Sequence, residues 1–219
     1  GVQRTSLRYA RSPLTLRLDG QTHYMPHSAH SRAYALVARL VASGRQHEAL
    51  VLLASRAHQA QVAGRHREAA DLHGIRASLL LAAGQDSSAL RELRAAVRLD
   101  PLDGRHHLAI ARCEAIASAA TVAGLRSARR AIQLFAADHS LHTELPQALG
   151  IHGVLVLRLG RTSEALHTLT LALAALRAGL HVGAPDLWLV RECLACGIAP
   201  ETTRAYLSAV RSWARKQND

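Results

Sequence analysis

Three times the chain writes Gly, four residues, then Ala-Leu: Gly44-Arg-Gln-His-Glu48-Ala49-Leu50, Gly84-Gln-Asp-Ser-Ser88-Ala89-Leu90 and Gly160-Arg-Thr-Ser-Glu164-Ala165-Leu166. The glycines stand 40 and then 76 residues apart, and the second interval is close to two periods of the first kind. Self-similarity at such a period marks stacked helical hairpins, each too small to bury its own apolar face. The expectation is an all-α chain, a right-handed α-solenoid. Ala and Leu dominate and aromatics are only 3%, which favours close helix packing over a β-sandwich.

The local patterns place the elements. Leu14-Thr-Leu16-Arg-Leu18 alternates apolar with polar, then Asp19-Gly20 precedes Gln21-Thr-His23-Tyr24, a hairpin signature. Residues 1–30 therefore read as a basic arm with a short β-hairpin, bounded by Pro13 and Pro26. From Ser31, a plausible N-cap, the period turns helical, with Leu36, Val37, Leu40 and Val41 as the inward stripe. A second helix points Ala49, Leu50, Leu53 and Ala57 inward; further helices span 68–83, 87–99, 106–119, 125–137, 146–159 and 163–178. Residues 31–178 form the repeat array, and 179–219 supply two capping helices over 186–196 and 201–215, with Trp188 and Trp213 sealing the end.

The segment from about Asp71 to Asp103 resembles a tetratricopeptide repeat. Ala77 falls at the small position of the first helix, Gly84 at the turn and Ala89 at the alanine of the second helix; Leu93, Ala96, Leu99, Asp100 and Pro101 fill the later positions. The units around Gly44 and Gly160 keep Gly, Ala and Leu but lose Asp-Pro, and 104–140 reads as a degenerate copy around Gly124 and Ala128. The first unit is also similar to a pentatricopeptide repeat. The resemblance implies a helical-hairpin fold and is nearly silent on function. Pentatricopeptide readers of RNA select bases with polar residues early in each first helix; Ala35 stands there, and the only Asn is Asn218. A clamp for a terminal carboxylate would use Lys and Asn, absent from the repeats, although Arg39 and Arg76 are cationic.

Charge carries the functional signal. The net charge is +11, and 26 of the 27 basic residues are Arg, Lys216 being the exception. Arg91, Arg94 and Arg98 recur at i, i+3, i+7 on one helix, and Arg126, Arg129 and Arg130 cluster on another. With Arg65, Arg67 and Arg105, and with Arg4, Arg8, Arg11 and Arg17 in the arm, they form a candidate surface for phosphate or an acidic protein. The alternative for each arginine is a solvated face balanced by Glu48, Glu68, Glu92 or Glu164.

No other motif supplies chemistry. Cys193-Leu-Ala-Cys196 is a lone CxxC, with Cys113 and His181 the nearest further ligand types, and reads as small residues on a buried helix face. Three cysteines make no disulfide framework. The 14 histidines scatter, His106-His107 and His139/His142 included, without a His-Glu-x-x-His or a partner acid set. No catalytic residue, metal or cofactor is expected, and no apolar run reaches the roughly 18–20 residues of a membrane span.

The expected function is a non-catalytic scaffold subunit of a large assembly: first a mitochondrial ribosomal protein contacting rRNA and neighbouring proteins. The alternatives are an accessory subunit of a respiratory or ATP-synthase complex and a free protein-protein adaptor. The mitochondrial expectation rests on residues 1–18, which carry four arginines and no acid, like the tail of a transit region; the cytoplasm is the alternative.

Overall fold

The structure, a computed structural model, describes residues 14–18, 21–25, 31–117, 122–179 and 187–218. The chain forms two compact units, residues 1–99 and 100–219, so the division falls at Asp100-Pro101 within the repeat array. Among the described residues the only strands are β1 (Leu14–Leu18) and β2 (Gln21–Met25), antiparallel with Leu18 opposite Gln21 and Leu14 opposite Met25. Residues 19–20, where the turn signal falls, lie outside the described residues.

The first unit continues with α1 (Ser31–Ala42), α2 (Gln46–Val62), α3 (His66–Ala82) and α4 (Asp86–Leu99), each packed on the next. Its core runs through Val37, Leu40, Leu53, Leu72, Ile75 and Leu79. Leu36, expected on the inward stripe, is instead 45% exposed. With 100° per residue, α1 turns only a narrow strip of Val37, Leu40 and half-buried Val41 toward the core, and α2 is the helix it packs against most extensively. The side chain of Gln46 donates from Nε2 to the Leu79 carbonyl at 2.8 Å, tying α2 to α3.

One turn design recurs, and it explains the repeat. Gly84 has φ +69°, and Gly44, Gly64 and Gly160 lie within a few degrees of it, a region where a Cβ is strained. The residue after each glycine donates its N–H five residues back, Arg45 to Leu40, Arg65 to Ala60, Gln85 to Leu80 and Arg161 to Val156, closing the helix in a Schellman motif. Its own carbonyl then accepts the first bond of the next helix, from Ala49, Ala69, Ala89 or Ala165. Those four alanines are fully buried, because the next helix starts pressed against the one just ended. Gly64-Arg-His-Arg-Glu68-Ala69 is thus a fourth copy that the sequence reading passed over, since Ala70 replaces the leucine. It also shows that turns within and between hairpins share one design in the first unit, at 20-residue intervals. Arg45–Glu48 at 2.5 Å, Arg65–Glu68 at 3.1 Å and Arg161–Glu164 at 3.4 Å pair across three of these turns. Both partners of the first pair are exposed, so it orients the turn more than it stabilises it.

The second unit holds α5 (Gly104–Ile116), α6 (Val122–Ala137), a 3-10 segment at His139–Glu144, α7 (Leu145–Arg158), α8 (Thr162–Arg177), α9 (Trp188–Ala195) and α10 (Pro200–Asn218). Helix α5 begins two residues before the expected start because Asp103 caps it, accepting the Arg105 N–H at 2.9 Å. Helix α7 is central, touching α5, α6, α8 and α9, so its buried residues run without a break from Ala148 to Leu157. Gly153 lets α9 approach it: a Cβ there would collide with Leu189. Gly124 and Ala128, the degenerate copy's small residues, are buried in α6. Trp188 packs half-buried against this core and Trp213 is half-buried on α10. The segment 180–186, which includes His181 and the expected helix start at Pro185, lies outside the described residues.

Candidate interaction surface

The thirteen arginines expected to form a binding surface fall into three groups. Arg4, Arg8 and Arg11 lie outside the described residues, and Arg17 is on β1 opposite Thr22.

A second group is engaged by the protein's own carboxylates. Arg105 forks onto Asp103, with Nη2 2.6 Å from Oδ2 and Nε 3.0 Å from Oδ1. Burial works against the Asp103 charge, but the Arg105 hydrogen bonds and charge outweigh it and hold the carboxyl below its usual range. Arg129 donates to Glu164 at 2.6 Å, reaching from α6 to α8, and this bond keeps Glu164 ionised below the usual range. Arg65 belongs to the turn pair with Glu68.

The third group faces solvent. On α4, Arg91, Arg94 and Arg98 are exposed along one side, with Arg91 donating to Ser88 Oγ at 3.0 Å. The acid beside them, Glu92, points the other way and holds α3, accepting from Arg76 at 2.8 Å and meeting His73 Nδ1 at 2.8 Å. Arg67 is exposed on α3 and Arg126 on α6, while Arg130 is half-buried. These lie on different helices, and α4 carries the one periodic strip the sequence anticipated.

A second strip was missed. On α10 the exposed positions include Arg204, Leu207, Ser208, Arg211, Ser212 and Arg215. Arg204, Arg211 and Arg215 recur at i, i+7, i+11, a spacing visible in the sequence once the helix is assigned.

The buried polar and charged residues among the described residues lie in the second unit. His152 sits between α7 and α8 with Nδ1 3.2 Å from Thr168 Oγ1 and Nε2 3.5 Å from Glu164. Burial pushes its pKa down, Glu164 opposes, and Arg129 and Arg161 push the same way as burial, so the neutral form of the ring is favoured. Burial likewise depresses His106 against the pull of Asp103. Of the CxxC pair, Cys193 is buried in α9 and burial raises its thiol pKa, whereas Cys196 is exposed where the helix ends. The expectation that both share a buried face is corrected, because α9 stops one residue before Cys196.

No protein-family model matches the sequence, and no curated protein sequence matches it. Solved structures do. A single-residue variant of a kinesin light chain from Podosopora anserina, with nearly identical TPR-like repeats, superposes with a TM-score of 0.65 at 18% identity, over 90% of this chain and 100% of that one. The kinesin light chain without that change gives 0.62 at 17%, over 87% and 97%. MamA gives 0.57 at 13%, over 84% and 97%. The fold is that of tetratricopeptide-like helical repeats, and at these identities the likeness concerns the fold.

Proposed function

We propose that this chain is a non-catalytic scaffold that holds protein partners, and that its uncompensated positive charge selects acidic ones. The observation that carries this reading is a division of labour among the charged residues. Among the acids that the structure places in ion pairs, Asp103, Glu92, Glu164 and Glu192 stitch helices or caps together and Glu48 and Glu68 brace turns, while the exposed charged residues are mostly arginine. Tetratricopeptide-like repeats supply extended helical faces suited to holding other chains. No helix among the described residues is long and apolar enough to cross a membrane.

A second reading, a ribosomal subunit that lays arginines on rRNA, is favoured by the α4 strip, where three exposed arginines recur along one side of the helix. A mitochondrial site for that role rests on the arginines of residues 1–18. Sedimentation of native extract with and without ribonuclease separates the two. The scaffold reading expects the chain in a complex that survives the nuclease. Release of the chain by nuclease, with RNA binding that weakens steeply with salt, would instead establish the rRNA reading. A chain that sediments alone in both samples would sink both.

A further inference from the structure

We infer that the outer face of α10 is a docking surface for one acidic amphipathic helix of a protein partner. The inference rests on the scaffold reading above. Helices α9 and α10 pack on each other in the second unit and bury their inner faces through Leu189, Val190, Cys193, Thr203 and Tyr206. The other side of α10 pairs an apolar residue with cations. Leu207 is 38% exposed, between Arg204 and Arg211, with Arg215 a turn further on.

None of these three arginines has an ion pair among the described residues. The only acid on α10 is Glu201, in its first turn, where the helix dipole favours a negative charge.

Spacing and composition argue for a helix as the occupant. Arg204 and Arg211 are seven residues apart, ~10 Å along the axis at 1.5 Å per residue. A second helix presents the same side every seven residues, so carboxylates at heptad spacing meet both arginines at once, with an apolar residue between them over Leu207. An apolar centre rimmed by arginine is the composition of a protein interface. A phosphate backbone would match the cations but leave Leu207 uncovered.

The test is fluorescence anisotropy with the full chain and three labelled probes at ~0.15 M salt. The first is a synthetic peptide of about three Glu-Ala-Ala-Leu-Glu-Ala-Ala heptads; the second is the same composition scrambled; the third is a single-stranded oligonucleotide. The patterned peptide should bind at least ~10-fold tighter than the scrambled one, and Leu207→Ala should erase most of that preference. The triple variant Arg204→Gln/Arg211→Gln/Arg215→Gln should lose both. All four side chains are exposed, and circular dichroism confirms that the variants keep their helices. Equal binding of the two peptides overturns the inference, as does tightest binding of the oligonucleotide with loss in the triple variant. If the inference fails while the nuclease-resistant complex persists and ignores the triple variant, the scaffold reading stands and its docking face lies elsewhere.

Discussion

The guanidinium carbon of Arg158, the last residue of α7, lies 5.3 Å from the centroid of the Trp188 ring, the first residue of α9. The same guanidinium donates through Nη2 to Glu192 at 2.7 Å and through Nη1 to the Ala115 carbonyl at the end of α5. Trp188 closes the loop, its Nε1 donating to the same Glu192 oxygen at 3.0 Å. One side chain thereby ties α5, α7 and α9 together, and it satisfies a helix-terminal carbonyl as it does so.

Replacing Arg158 with Met should therefore loosen α9 specifically. Met keeps much of the apolar stem but removes the cation over the ring and both hydrogen bonds, leaving half-buried Glu192 with the Trp188 hydrogen bond but without its ion pair. The expected loss is about 1–3 kcal/mol, read from urea denaturation, with a change in tryptophan emission at lower denaturant than the helical signal. An unchanged midpoint in both signals would show that the clamp is decorative.

Helix α7 offers a controlled comparison of one substitution at two sites. A Cβ on Gly150 meets nothing within 4 Å, so Gly150→Ala should stabilise by roughly 0.5–1 kcal/mol through reduced backbone entropy of the unfolded chain. At Gly153 the same Cβ runs into the buried Leu189 side chain of α9, and Leu189 has little room to move. Gly153→Ala should cost about 1–3 kcal/mol, as overpacking does. Opposite signs in thermal melts are the expected result; a stabilising Gly153→Ala would mean that α9 shifts away freely.

Much of this fold was legible because the turn is a local event. A glycine at positive φ, four residues and a fully buried alanine require no distant partner, so Gly44, Gly84 and Gly160 announced their hairpins directly. Gly64 was hidden only because Ala70 stands where the other copies have Leu. The candidate surface was less legible. Whether an arginine is displayed depends on which acids surround it after folding, and these are far away in sequence: Arg129 meets Glu164 across 35 positions. Arg204, Arg211 and Arg215 lacked the dense clustering that drew attention to Arg91, Arg94 and Arg98, although folding leaves both strips on the outside. The exposure of Leu36 and Cys196 likewise depended on which strip of α1 turns toward the core and on where α9 ends.

One helix start, at Ser88, departs from the others. Glu48, Glu68 and Glu164 occupy the first turn of their helices at the place where α4 has Ser88. A glutamate there suits the helix dipole and propensity better than serine, and Arg91, already bonded to Ser88 Oγ, is in reach to pair with it. Ser88→Glu should stabilise the first unit by roughly 0.3–1 kcal/mol at low salt, with the gain shrinking as salt rises. A neutral or destabilising result would show that the Arg91–Ser88 bond matters more than the dipole.

Acid should weaken the second unit before its arginine-paired carboxylates protonate. In the unfolded chain a histidine titrates near ~6.5, whereas burial holds His152, His106 and His107 below their ordinary value when folded. As pH falls through that range the unfolded state takes up protons that the folded state refuses, so stability is fully present above it and declines below. Glu164 and Asp103 act lower on the scale: both carboxyls are held down by arginine, and their contribution disappears only as pH drops below the ordinary carboxylate range. Between neutrality and about pH 5 the histidines therefore set the loss, opposed by Glu144, whose carboxyl burial holds above its usual range so that it favours the folded state as pH falls. His152→Gln, which retains a hydrogen-bonding group toward Thr168 but cannot titrate, should flatten the dependence of the urea midpoint on pH within that window. Wild-type midpoints that hold constant from pH 8 to pH 5, or a His152→Gln slope that matches wild type, would show that His152 takes up its proton as readily in the folded chain as in the unfolded one.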